Sequence, residues 1–156
     1  MNRVAQRSTN GLSIVALVWV GLLLGVSFVA TPAKFLAPSL TLPVALDVGR
    51  YTFGVFSMVE VIAAILLLTC AVLSQCGRSV VFIGLLVGGF VAVQSLWLLP
   101  VLDARVEIIL QGGRPENSGL HGLYIALEAG KVVLLSFVGW WSFHIRRQDY
   151  GSNGIL

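Results

Sequence analysis

The chain has 156 residues, of which 57% are hydrophobic and only 11% charged, with a formal net charge of +3 and a mean hydropathy of +0.93. Soluble domains carry about 25% charged residues, so this composition excludes an ordinary soluble domain. The basic residues are scattered rather than gathered into a stripe, which excludes a nucleic-acid-binding surface.

Apolar runs of about 20 residues predict helices that cross a bilayer. The first span covers about 12–30 and follows Arg3 and Arg7. Its apolar run, 11–30, is longer than the roughly 7–15-residue core of a signal peptide, so it reads as a retained span. Gly21 and Gly25 have the GxxxG spacing that lets helices approach closely, with Ser27 just beyond. Over 31–50, Pro32, Pro38 and Pro43 predict a loop, lying in the interface or over the bundle end, with a short helix at 44–48.

The second span, about 51–73, carries Glu60 in an otherwise apolar run. Cys70 and Cys76 are six apart and form neither CxxC nor a zinc pattern, so they read as small apolar residues. A tight connection at 74–79 leads to the third span, about 80–102, in which Gly84, Gly88 and Gly89 offer close packing and Gln94 is strongly polar. The helical pattern then continues as an amphipathic extension with Asp103, Arg105 and Glu107, stopped by Gly112-Gly113. The fourth span, about 118–143, ends in an aromatic belt of Trp140, Trp141 and Phe143, followed by His144, Arg146 and Arg147. His144 reads as a solvated end residue, and 150–156 as a tail.

These elements predict one all-α domain, an integral-membrane antiparallel four-helix transmembrane bundle with span three extended beyond the membrane. With four spans, Arg3, Arg7, Arg78, Arg146 and Arg147 fall on one side; Lys34, Arg50, Arg105 and Arg114 fall on the other. The arginines before the first span dominate such a comparison, which places both termini in the cytoplasm.

The fourth span holds the densest chemistry. His121, Tyr124, Glu128 and Lys131 follow at i, i+3, i+7 and i+10, one stripe of one helix. Ionisable groups at membrane depth cost about 2.5–3.5 kcal/mol each on insertion scales and mark functional sites by default. Counting about 1.5 Å per residue from the outer ends puts Glu60, Gln94, Glu128 and Lys131 at roughly 12–20 Å, one central layer of a bilayer about 30 Å thick. Two carboxylates and one ammonium leave a negative charge uncompensated, which a proton or a bound cation would supply. The alternative is a structural network that sets helix register. His121 and Tyr124, nearer the outer surface, are expected to join Asp103 and Arg105 in a hydrogen-bonded lock, with Glu107 at the same level. No phosphate loop, nucleophile elbow, HExxH or dinucleotide fingerprint is present. No catalytic residue, metal or cofactor is therefore assigned.

Pro32 and Phe35 in TPAKF, Leu102-Asp103-Ala104-Arg105, and His121 in LHGLYIALEAGK carry a resemblance covering roughly 12–145. In these features the chain resembles the four-span bacterial membrane proteins of unknown function related to human transmembrane protein 205. Members of that family often have serine three residues after the histidine and asparagine four further on; here those places hold Tyr124 and Glu128. The resemblance implies a four-helix bundle in the bacterial plasma membrane. The expected function is binding or transport of a proton or small cationic solute. The alternative is a non-catalytic accessory subunit of a larger membrane complex, with the bilayer and a membrane protein or second copy as partners.

Overall fold

Along each long helix, buried positions recur mostly every three or four residues. The computed structural model describes the backbone of residues 3–74 and 76–152, and side chains over 6–74 and 76–144. In the first helix the buried positions run through Thr9, Leu12, Ala16, Trp19 and Leu23, with Ser13 buried beside Leu12. In the last they run through Tyr124, Glu128, Lys131, Leu135, Val138 and Ser142, with Gly139 buried beside Val138. A 3–4 alternation averages 3.5 residues, close to the helical repeat, so one narrow seam per helix faces its neighbours. The remaining faces expose Ile14, Val55, Ile62, Phe82 and Val133. Four helices, Gln6–Lys34, Leu42–Leu73, Arg78–Leu110 and Leu120–His144, are long and apolar enough to cross a membrane.

The first of these begins as α1 (Arg3–Leu23), widens into a π-helical segment (Leu24–Ala30), and closes as the single turn α2 (Thr31–Lys34). The expected loop at 31–50 is thus mostly helical: after a short irregular stretch containing Pro38, α3 runs over Leu42–Leu73. Pro43 sits in the first turn of α3, where a missing N–H costs nothing. Pro32 has a different consequence. It cannot donate to the carbonyl one turn back, and the π-helical segment directly before it carries the helix onward through i→i−5 bonding, Thr31 N–H to the Val26 carbonyl.

The same device recurs in the third helix. α4 (Arg78–Val93) passes into a π-helical segment (Gln94–Leu98), then into α5 (Leu99–Leu110), whose first turn contains Pro100. The Leu99 N–H donates to the Gln94 carbonyl. The amphipathic extension is therefore continuous with the span. It stops as expected at Gly112, whose φ is +82°. Gly113 N–H bonds the Ile108 carbonyl at 2.8 Å and Gly112 N–H the Ile109 carbonyl at 3.0 Å, the paired bonds of a Schellman stop. The last helix, α6, covers Leu120–Ser152.

Neighbours in sequence are neighbours in space: α1 packs on α3 and α6, α3 on α4 and α5, and α4 on α6. Gly84 is close-packed as expected, against Leu68, and a Cβ there would lie 2.9 Å from Leu68 Cδ2. Gly21, Gly25 and Gly89 are different. Each faces open space, so the GxxxG pair of the first helix makes no close approach within the chain. The thiols of Cys70 and Cys76 are free, and Cys76 lies in the core with Cys70 packed beside it. His144 stacks on Trp140, ring centroids 5.8 Å apart, rather than standing free at the helix end. Gln75, the side chains of Arg3, Arg146 and Arg147, and residues 153–156 of the expected tail lie outside the described residues.

Candidate functional site

Among the described residues, the charged side chains of the buried seams all lie at one level. There Glu60, Gln94 and Glu128, each 1% exposed, meet Lys131 at 0%. The expected central layer is therefore assembled. Lys131 lies on α6 one turn beyond Glu128, and its ammonium is 2.7 Å from Glu128 Oε1. The same ammonium pairs with Glu60 Oε1 on α3. Gln94 Nε2 donates to Glu128 Oε1 at 2.9 Å and, more weakly, to the Tyr124 carbonyl at 3.4 Å.

Two further members come from the first helix, which sequence reasoning did not connect to this layer. Trp19 Nε1–H donates to Glu60 Oε1 at 3.2 Å. Ser27 Oγ donates to Glu128 Oε2 at 2.7 Å. Trp19 continues the buried repeat of α1, four residues before Leu23, and Ser27 lies four beyond it. A seam drawn through the first helix at 3–4 spacing would have found both. All four long helices thus contribute, and two of the contributors, Ser27 and Gln94, sit in the π-helical segments that precede Pro32 and Pro100.

The charge balance is set by this geometry. Lys131 bridges both carboxylates, and Arg50, the cation anchored on the same helix as Glu60, is engaged elsewhere. It holds Asp47 at 2.8 Å and Glu107 at 2.9 Å. With every group ionised, the layer carries one more negative than positive charge. Gln94 Oε1, next to this layer, is buried and accepts no hydrogen bond.

The expected outer lock is not formed as a hydrogen-bonded unit. Arg105 donates instead to the Glu116 carbonyl in the connection between α5 and α6. Glu107 is taken by Arg50, which removes it from any shared site with His121. The Tyr124 side chain is 3% exposed, its ring meets Phe53 edge-on at 5.3 Å, and its hydroxyl has no partner. The physical reason is the direction each side chain faces: Tyr124 turns into the buried seam, whereas Asp103 and Arg105 lie outside it. The four residues nevertheless converge on one cavity. A vestibule of about 350 Å³ is lined by Asp103, Arg105, His121 and Tyr124 together with Lys34 and Arg50.

A second cavity, about 280 Å³, shares Phe53, His121 and Tyr124 with the vestibule and reaches Glu128. Among the described residues, no group of three or more His, Cys, Asp or Glu side chains is placed to hold a metal ion. No family model, curated protein or solved structure matches the chain.

Proposed function

We propose that this chain is a small multi-pass protein of a bacterial plasma membrane whose buried layer binds and exchanges a proton or small cation. In this reading the helices form an antiparallel transmembrane bundle with cytoplasmic termini, and the vestibule opens on the opposite face. The resemblance to the proteins related to human transmembrane protein 205 implies the same span number and location. One observation carries the reading: Lys131 is shared between two fully buried carboxylates, and Glu128 also lines a cavity. An uncompensated charge in a low dielectric is costly, so the layer recruits one positive charge. The cavity gives that charge a way in. A purely structural network would be better served by neutral side chains or a matched pair.

Infrared spectroscopy of the purified protein tests this, because a protonated carboxyl absorbs apart from carboxylates. At neutral pH the wild type shows one buried carboxylic acid, or native mass spectrometry shows one bound cation. Glu128→Gln removes it while the protein still accumulates in the membrane. Two ionised carboxylates with no bound cation contradict the reading.

The accessory-subunit reading is favoured by one observation, the open face at Gly21 and Gly25. A stoichiometric membrane partner retained through mild detergent, and lost in Gly25→Leu, would select it.

A further inference from the structure

The cavity that reaches Glu128 has a specific chemistry. Its floor is a carboxylate and a serine hydroxyl, Glu128 and Ser27, and its walls include Phe28, Phe53 and Tyr124. Aromatic faces attract cations through the ring quadrupole. An aromatic chamber closed by a carboxylate recognises an organic ammonium ion better than an anion or a neutral molecule. The volume, about 280 Å³, is close to the lower end of small-molecule sites, roughly 300 Å³.

Two observations independent of the aromatic walls point to a ligand. Tyr124 lines this chamber, and its buried hydroxyl has no hydrogen-bond partner. Buried polar groups are rarely left so without a function. The second is the missing positive charge of the layer, whose Glu128 end faces the chamber.

The route in is lateral. Phe28 and Ile125, 38% and 44% exposed, border the chamber on the bundle's outer, apolar surface. The vestibule, by contrast, is lined by Lys34, Arg50 and Arg105 as well as Asp103. Phe35 also borders the chamber, with the Lys34 ammonium 5.1 Å from its ring centroid.

We propose that this chamber binds a small organic ammonium ion with an apolar body, entering from the lipid between the first and last helices. Glu128 supplies the counter-charge, and Phe28, Phe53 and Tyr124 supply the walls. This rests on the reading of the layer as short of one positive charge, and it names the class of cation.

Isothermal titration of the purified protein in an uncharged maltoside detergent tests it, with benzyltrimethylammonium as the probe and benzoate as the anionic control. The expected result is saturable one-to-one binding of benzyltrimethylammonium and none of benzoate. Phe53→Leu and Phe28→Leu, which leave the charged layer intact, each weaken binding about fivefold. Glu128→Gln abolishes it, and Phe82→Leu, at an exposed ring on α4, has no effect. The proposal is overturned if benzoate binds equally well, if benzyltrimethylammonium does not bind, or if the Phe28 and Phe53 variants bind it as the wild type does. Should the buried carboxylic acid still be seen by infrared in such a case, the layer reading stands and only the ligand class fails. If both signals are missing, both readings fail.

Discussion

Ser27 Oγ lies 2.7 Å from Glu128 Oε2 and joins the first helix to the last across 101 residues of sequence. Each residue is placed by a different device. Glu128 occupies the regular seam of α6. Ser27 sits in a π-helical segment, five residues before Pro32. Removing the hydroxyl leaves a buried carboxylate oxygen without its donor. Ser27→Ala is expected to cost about 1–3 kcal/mol, read as a lower midpoint of thermal unfolding in detergent, with Ser27→Thr retaining more of it.

Lys131 is the sole cation of the buried layer among the described residues. Lys131→Met strands two carboxylates, and breaking a buried pair costs about 3–5 kcal/mol. The triple change Glu60→Gln, Glu128→Gln, Lys131→Met is expected to recover most of that stability, since neutral groups can replace a buried ion network at little cost. Comparing the unfolding midpoints of the single and triple variants checks this. A triple variant no more stable than Lys131→Met would show that the layer acts through packing and not charge.

Gly112 holds φ +82° at the end of α5, a region that disfavours L side chains. Gly112→Ala is expected to destabilise by about 1 kcal/mol. The loss should be confined to the vestibule, because the same stop directs the connection in which Glu116 receives Arg105. Hydrogen exchange of the 111–119 amides is the direct readout, and unchanged protection there would count against a role for the stop.

Glycines of similar appearance are expected to behave differently. At Gly84 an added Cβ would lie 2.9 Å from Leu68 Cδ2, whereas at Gly25 it would meet nothing. Gly84→Val should therefore cost about 1–3 kcal/mol by overpacking, and Gly25→Val within about 0.5 kcal/mol. Unfolding curves of the two variants, measured side by side in the monomeric state, decide this.

Helix number, helix type and the depth of Glu60, Gln94, Glu128 and Lys131 were legible because apolar length and axial rise are properties of one segment at a time. The Gly112-Gly113 stop was legible for the same reason: its hydrogen bonds close within six residues. The helical course of 31–50 was not, because three prolines look alike in sequence. Pro43 starts a helix, Pro38 lies between helices, and Pro32 is bridged by a π-helical segment. Nor was the outer lock read correctly. Equal depth brought Asp103, Arg105, His121 and Tyr124 to one cavity, but hydrogen bonding depends on azimuth, and Arg105 turns to a loop carbonyl instead.

By itself, then, the sequence determined an all-helical chain with four helices apolar enough to cross a membrane, and polar residues set at one level along three of them. The tertiary structure decided which way each helix faces. Helices that are apolar on every side carry no amphipathic pattern to mark the seam, so rotation about each axis is settled only by packing. That rotation turned Trp19 and Ser27 inward to complete the layer. It also turned Gly21 and Gly25 outward, and opened beside Glu128 the chamber between the first helix and the last.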